Sequence, residues 1–393
     1  MNHSVFSLGV MTGTSCDGAD GAVLKIDPET ESESLYGTYS RKFPANLRLQ
    51  LRKAQSGKLN IVDAGRIELL YSDWLAQFCS QVISKFKLNT ARTLCSIHGQ
   101  TVWHEPPRFS IQLGEPARIA IKTGLTTIAR FRQPDLALGG QGAPLVPYYH
   151  WLRAKQMRQT QKNPFSIHNI GGISNLTVVT HKLDEIFAFD TGPGNALIDL
   201  AVEKVTKGRH HFDRSGRMAE SSLSQIDWGK IEKLSKHPYF CETPPKSTGR
   251  ELFNEAFLRK IPGQGARLVA NATAFTAHTV AKAYRDFVIS RFPKFDCIYI
   301  AGGGAANNVL VLLIQREIDR LLPKKNIRVA MLPKTLGPLH YLEAMAFARL
   351  GYEALKGREI SLGAVTGARS NGIGAAIIPG KNFQSLLRRI ALI

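Results

Sequence analysis

The sequence predicts a two-domain protein of mixed α/β type, and three observations predict it. The chain has 393 residues, enough for two domains at ~150 each. Its apolar strand-like runs cluster in closely joined pairs, which implies antiparallel hairpins rather than the strict βαβ alternation of a dinucleotide-binding sheet. A strand–glycine turn–strand unit also occurs twice, opening at Val5 and again at Phe165, about 160 residues apart, and this hints at a duplicated fold.

In chain order, Val5–Met11 is an apolar strand, and Gly21–Ile26 a second one after the turn Gly13-Thr14-Ser15-Cys16-Asp17-Gly18. Leu35–Phe43 is a third, after an acidic, Ser-rich loop. Ile67, Leu70, Trp74, Phe78 and Val82 recur at helical spacing and predict one long amphipathic helix. Short β-like runs come next at Thr93–Ile97, Phe109–Leu113 and Leu125–Ile128. Ala154–Pro164 is polar, basic and without period, and reads as a linker or surface loop. The β pattern restarts with Phe165–Ile170 and Ile173–Val179 around Gly171-Gly172, a hairpin signal. A strand Ile186–Phe189 leads into Asp190-Thr191-Gly192-Pro193-Gly194-Asn195 and a helix that ends near Lys207-Gly208. Later come a helix around Leu268–Phe292, the strand Cys297–Ala301, and Gly302-Gly303-Gly304 before a helix running through Leu322. Ile327–Leu332 is a strand and Leu342–Leu355 a helix.

Composition narrows the class. Hydrophobic residues make up 44% and charged residues 21%, an ordinary globular balance. No apolar run approaches the length of a membrane span. Residues 1–10 hold no Lys or Arg, which is not the pattern of a secretory leader. The 5 cysteines have no metal-site spacing, so a reducing cytoplasm is expected, with neither a disulfide framework nor a zinc site. Net charge is +20. Such a field attracts anions, and a phosphorylated small molecule fits better than nucleic acid, because no nucleic-acid-binding pattern accompanies the charge.

Standard nucleotide signatures are absent. Gly57-Lys58, Gly229-Lys230 and Gly380-Lys381 are never followed by Ser or Thr, so there is no Walker A loop, and no kinase His-Arg-Asp occurs. Three glycine turns nevertheless suit phosphate. The Gly13–Gly18 turn offers amides, two hydroxyls and the carboxylate of Asp17, which can hold Mg²⁺ directly or through water, although taken alone it reads first as a plain polar hairpin turn. Gly171-Gly172 and Gly302–Gly304 are the other two, the last opening a helix whose positive end suits an anion or nucleoside. Asp190, at a strand end before a Gly/Pro turn, is either a general base or an Asx-turn residue. His98, His104, His168, His210 and His211 match no recognised metal spacing and read as core or solvated histidines.

These segments resemble the anhydro-N-acetylmuramic acid kinase family. The resemblance runs from Leu8 to Gly380, through Met11–Gly18, His98–Val102, Gln112–Pro116, Gly139–Pro147, Asn169–Leu176, Asp190–Asn195, Lys246–Glu251, Gly302–Asn308 and Glu343–Ala348, in the family's order. It implies the actin/Hsp70/hexokinase-like ATPase superfamily, a duplicated ribonuclease H-like fold of two α/β domains around an ATP cleft. On that basis residues 1–135 with about 340–393 form the first domain and 136–339 the second. The resemblance implies that Gly13, Thr14, Ser15, Cys16, Asp17, Gly18, Ala19 and Asp20 bind ATP, with Asn169, Gly171, Gly172, Gly302, Gly303, Gly304 and Asn307. It implies Asp190 as the base for a water that opens the sugar's 1,6-anhydro bridge, Arg132 as a cation near the sugar and Glu343 as a carboxylate orienting that water. It further implies ATP and Mg²⁺, cell-wall recycling in the cytoplasm and a homodimer, with no nucleic-acid or membrane partner.

Two departures from the family pattern stand near the expected sugar site. Arg130-Phe131-Arg132 replaces the usual Asp-Phe-Arg, and His340 replaces an Asp three residues before Glu343. They leave open a kinase for another anhydrosugar of levoglucosan type, or a nucleotide-binding scaffold without catalysis.

Overall fold

The structure is a computed structural model that describes residues 4–13, 16–333 and 336–390. The chain divides into two compact units: Met1–Tyr149 with Tyr341–Ile393, and His150–His340. The first thus runs to Tyr149 rather than to residue 135. The cause is Asp135, which is fully buried and accepts hydrogen bonds from the Gly142 amide and the Thr366 hydroxyl, both at 2.6 Å, and from the Ser361 hydroxyl. A buried carboxylate needs such partners, and they tie residues 135–142 to the C-terminal segment.

In the first unit the strands β1 (Val5–Met11), β2 (Gly18–Ile26) and β3 (Glu33–Lys42) form an antiparallel meander, from Val5 opposite Ile26 to Met11 opposite Asp20 in its first pair. The strand β4 (Thr93–Ile97) pairs parallel with β1. A separate hairpin, β5 (Gln100–Glu105) with β6 (Phe109–Leu113), comes next, and then β7 (Thr127–Ala129) pairs parallel with β4. Ala376–Ile378 closes the far edge against β7. The second unit has β8 (Phe165–Ile170), β9 (Ile173–Val179) and β10 (Phe187–Pro193) as its meander. The strands β11 (Cys297–Ala301) and β12 (Arg328–Met331) are added parallel beyond β8. Apart from the extra edge strand Ala376–Ile378 of the first, the two sheets therefore read β3-β2-β1-β4-β7 and β10-β9-β8-β11-β12, the same order with the same directions. This is the duplicated ribonuclease H-like fold, and it bears out the hint of repetition in the sequence.

The five helices that periodicity predicts are present, but others, among them Ala45–Ala54, Pro116–Thr123, Pro147–Arg153 and Phe383–Ile390, are not among those it predicts; three further differences are instructive. In Ile61–Lys85, capped by the Asn60 side chain on the Asp63 amide, the buried stripe uses Tyr71 where the spacing predicts Leu70. Leu70 is 49% exposed, because it lies about 100° around the helix from the stripe. The segment expected as a loop, Ala154–Pro164, carries the short helix Lys155–Thr160, and the Arg158 guanidinium sits 3.8 Å from the Trp151 ring centre. The helix expected through Phe292 is α-helical only over Ala266–Ala283, then continues as a π turn, Tyr284–Val288.

One close approach fixes the frame of the first unit. A Cβ on Gly9 would lie 2.0 Å from the Ala344 carbonyl oxygen and 2.3 Å from the Ala348 nitrogen. Only glycine lets the helix Leu342–Leu355 lie flush on β1, and that contact sets where Glu343, in its first turn, points.

Candidate active site

In the first unit the turn between β1 and β2 is anchored from beneath. The Thr12 hydroxyl donates to the Gly99 carbonyl (3.1 Å) and lies 2.9 Å from the Tyr71 hydroxyl, while the Gln100 side-chain amide donates to the Gly13 carbonyl (3.1 Å). Cys16 is fully buried at φ +54°, with its N–H on the Gly13 carbonyl. Thr14 and Ser15, both expected at the phosphates, lie outside the described residues. The Asp17 carboxylate stands 2.6 Å from Arg48 in an exposed pair. Gly18, Ala19 and Asp20 open β2, and Asp20 accepts from the Ser40 hydroxyl.

Arg132 is held by two acceptors. Its guanidinium donates to His98 Nε2 (Nη2 at 2.9 Å) and to the Gly142 carbonyl (2.7 Å). His98 can accept there because its Nδ1 is 2.8 Å from the Gly99 carbonyl and carries the ring proton. Burial, with Arg132 beside it, holds the His98 pKa down to about 3, so the ring is neutral. Glu343 lies near the same group. Burial raises its pKa, Arg132 draws it down and Asp20 pushes it up, so Arg132, Glu343 and Asp20 form one electrostatic cluster. Arg130 does not join it. With φ +59° its chain turns away, and its guanidinium donates to the Gln112 carbonyl (3.0 Å) and pairs with Glu115 (3.5 Å).

The second unit brings its two glycine turns together. Gly302 has φ +78°, and a Cβ there would stand 2.4 Å from Asn169 Oδ1 and 2.7 Å from the Ile170 carbonyl oxygen. Gly304 is equally close to the Ile170 side chain, and Gly303 stands beside Asn195. The carbonyls of Gly171 and Gly172 accept from the amides of Asn195 (2.7 Å) and Gly194 (2.9 Å), so this turn is locked to the start of the helix Ala196–Val205. Asn307 caps the helix Asn308–Leu321, its side-chain oxygen accepting from the Leu310 amide at 3.0 Å. That oxygen is committed to the fold.

Asp190 sits at a bulge of β10, where the register slips between Asp190 and Gly192, and it is 8% exposed. Its backbone is gripped on both sides: its N–H donates to the Lys246 carbonyl (3.2 Å), and its carbonyl accepts from the Tyr239 hydroxyl (2.5 Å). Its carboxylate accepts the Thr248 N–H on Oδ2 at 3.0 Å. Burial, then Asp190 itself, pushes the Tyr239 pKa up, so this phenol stays a donor. Lys246 is buried, donates to the Tyr239 carbonyl (2.9 Å) and stands 4.6 Å from the Phe287 ring centre; burial lowers its pKa to about 8.

Sequence reasoning assigns no role at the site to His98, Thr248, Lys246 or Tyr239. The first three lie inside segments singled out by their motif order, which is the available signal; Tyr239 lies in none. Of the histidines weighed as metal ligands, His168 bonds Tyr284 (2.9 Å) and Ser174 (2.7 Å), and His211 pairs with Glu203. Among the described residues no group of three or more His, Cys, Asp or Glu could hold a metal ion, and no helix is long and apolar enough to cross a membrane.

A model of the anhydro-N-acetylmuramic acid kinase family matches residues 5–380. Among curated relatives, the anhydro-N-acetylmuramic acid kinase of Sulfurovum sp. strain NBC37-1 is 36% identical over 382 residues, covering 93% of this chain and 97% of the relative. The enzyme of the same name from Acidithiobacillus ferrooxidans is 34% identical over 394 residues, covering 98% and 95%. That from Gloeobacter violaceus is 36% identical over 380 residues, covering 92% and 95%.

Proposed function

The chain belongs to the anhydro-N-acetylmuramic acid kinase family and carries that family's kinase role in cell-wall recycling, and from this premise we propose how its residues divide the work. Water adds to C1 of 1,6-anhydro-N-acetylmuramic acid as the C1–O6 bond breaks. O6 then forms its bond to the γ-phosphorus of ATP while the bond to the β-phosphate oxygen breaks. The products are N-acetylmuramic acid 6-phosphate and ADP.

Asp190 accepts the proton that the water loses. The observation that carries this is its setting: a carboxylate at a strand bulge, 8% exposed, with Oδ2 fixed by an amide and its backbone clamped on both sides. A base must be ionised and held to within fractions of an ångström, and an amide hydrogen bond favours both. Arg132, splinted by His98 and Gly142, supplies fixed positive charge toward the sugar. Glu343 orients the water.

The γ-phosphate is loosely bonded in the transition state, so positioning and charge neutralisation are the remaining tasks. Asn169, Gly171, Gly172 and Gly302–Gly304 hold the nucleotide, and Gly13–Asp20 the phosphates. The fit to Mg²⁺ is that of an ion shared with ATP. Such an ion takes one or two carboxylates and the phosphates rather than a protein cage. Asp17 is suited to it, because its exposed pair with Arg48 is worth only ~0–1 kcal/mol and is easily exchanged. When bound, Mg²⁺ would neutralise phosphate charge.

The reading includes a cytoplasmic homodimer, and sedimentation of the purified chain tests the dimer. The activity is tested by coupled ADP release with anhydro-N-acetylmuramic acid, N-acetylmuramic acid and levoglucosan, each with Mg²⁺ and ATP. ADP release only with the first, and ¹⁸O from labelled water at C1 of the product, is expected. Preference for levoglucosan, or sugar-independent ATP consumption, overturns the assignment.

A further inference from the structure

The segment Lys246–Glu251 enters the roles above only through Lys246 and Thr248, which hold Asp190, yet it touches both functional features of the second unit. At one end it clamps Asp190, through the Lys246 carbonyl at 3.2 Å and the Thr248 N–H at 3.0 Å. Two residues further on it reaches the Gly171-Gly172 turn. A Cβ built on Gly172 would lie 3.6 Å from both Nε and Nη2 of Arg250, so the guanidinium covers the side-chain-free face of that turn. Arg250 is exposed, and among the described residues no carboxylate pairs with it. Surface arginines beside acidic neighbours usually find one. Here Glu251, the next residue, folds back instead against Gly249, whose Cβ would stand in contact with its carboxylate oxygens.

A guanidinium with no internal partner, held over a glycine turn and joined through two residues to the amide that fixes a base, is a binding group awaiting an anion. We propose that Arg250 engages the terminal phosphate of ATP over the Gly171-Gly172 turn and neutralises the charge that spreads over its oxygens during transfer. The choice of side chain fits the task. The planar fork can meet two phosphate oxygens at once, which a lysine ammonium cannot. Because the same segment carries the Thr248 amide, phosphate binding at Arg250 and alignment of Asp190 share one short piece of backbone. The inference rests on the nucleotide assignment above and adds a residue that the assignment does not contain.

Arg250→Ala and Arg250→Lys separate the possibilities, with two readouts. By calorimetry on the full chain with Mg²⁺, the wild type is expected to bind a non-hydrolysable ATP analogue. Arg250→Ala should lose ~10-fold or more of that affinity while ADP affinity stays within about 2-fold. In turnover, kcat should fall ~10³-fold or more in the alanine variant, less in the lysine variant, with the sugar KM within about 3-fold, as removal of a transition-state arginine demands. The melting temperature should not move, since the side chain has no partner to lose. Equal losses of ATP-analogue and ADP affinity, or none, overturn the proposal whatever the turnover. Absence of anhydrosugar-dependent ADP release in the wild type would instead overturn the activity itself, and so is told apart.

Discussion

The third strands of the two sheets occupy the same slot in the same topology and have opposite surroundings. In the first unit β3 is largely exposed, with Tyr36 at 49%. In the second, every residue of β10 is buried, with Phe189 at 0% and Asp190 at 8%. The difference comes from the segments downstream of each strand. β3 passes through Phe43 and Pro44 straight into the helix Ala45–Ala54. β10 is covered by residues that enter later, between the helix Ala196–Val205 and the helix Ala266–Ala283: Tyr239 bonds the Asp190 carbonyl, Phe240 stands against Gly192, and Lys246 and Thr248 complete the cover. Duplicating a backbone supplies two equivalent strand ends. Only the one wrapped by the later segment becomes buried and clamped, the setting that the base proposed for Asp190 requires.

The strongest way to break this asymmetry is Asp190→Asn. It keeps the size of the side chain and removes the proton acceptor, so sugar-dependent turnover should fall by ~10²–10⁴-fold or more, with the fold intact by circular dichroism. Turnover within 3-fold of wild type would remove Asp190 from the chemistry and leave its burial a matter of packing alone.

A second variant attacks the other unit. Gly9→Ala drives a methyl into the Ala344 carbonyl, at 2.0 Å. Backbone atoms cannot yield as a flexible side chain can, so a loss of ~2–4 kcal/mol in urea unfolding is expected, at or above the upper range for overpacking. Turnover should fall as well, because Glu343 rides on the displaced helix. An unchanged unfolding midpoint would show that this helix does not depend on direct contact with β1.

Much of the fold is legible in the sequence. The strands β1, β4, β8, β9 and β11 follow from short apolar runs bounded by glycine, and Gly208 and the apolar stripe of Ile61–Lys85 follow from local rules. The hairpin strand β5 is not legible. Its residues, Gln100–Glu105, are polar and aromatic without clean alternation, and a bulge between Thr101 and Trp103 disrupts the period. Within the site, motif order names the residues that would touch ligand. It does not name those that hold them in place, because their roles depend on contacts remote in the chain: His98 with Arg132, Thr248 with Asp190, Tyr239 with the Asp190 carbonyl. The resemblance assigns Asn307 to the nucleotide; what the sequence does not reveal is that its side-chain oxygen also caps a helix.

Acid sharpens the comparison by asking whether the two interiors are equally dry. His98 in the first unit, and His150 and His168 in the second, are each buried, and burial lowers each pKa to about 3. Their unfolded value is ~6.5. As pH falls below 6.5 the unfolded chain takes up protons that the folded chain refuses, so stability is full above that value and declines toward pH 3. Each histidine adds a slope approaching ~1.4 kcal/mol per pH unit. Glu31 in the first unit, held at about 2 by Arg358 and Lys356, adds a further loss only as pH drops below ~4.5. Urea midpoints from pH 8 to 5 should fall steadily below 6.5. A flat profile would mean that these rings are hydrated or paired when protonated.

The smallest effect is expected at Arg130, beside the residue proposed to face the sugar. Arg130 and Arg132 are two residues apart, but the positive φ of Arg130 parts their side chains. Arg132 goes to His98 and Gly142, while Arg130 goes to the Gln112 carbonyl and Glu115. The extra cation is therefore spent on a carboxylate outside the Arg132–Glu343–Asp20 cluster. Arg130→Asp, the residue that the resemblance leads one to expect there, should change kcat/KM for the anhydrosugar by less than ~3-fold. It should cost at most ~1 kcal/mol of stability, by setting two acids against each other at a half-exposed position. Arg132→Met, by contrast, should cost far more activity than stability. A change above 10-fold in Arg130→Asp would mean that this side chain leaves Glu115 for the sugar when ligands bind, and that the residue at position 130 takes part in reading the substrate.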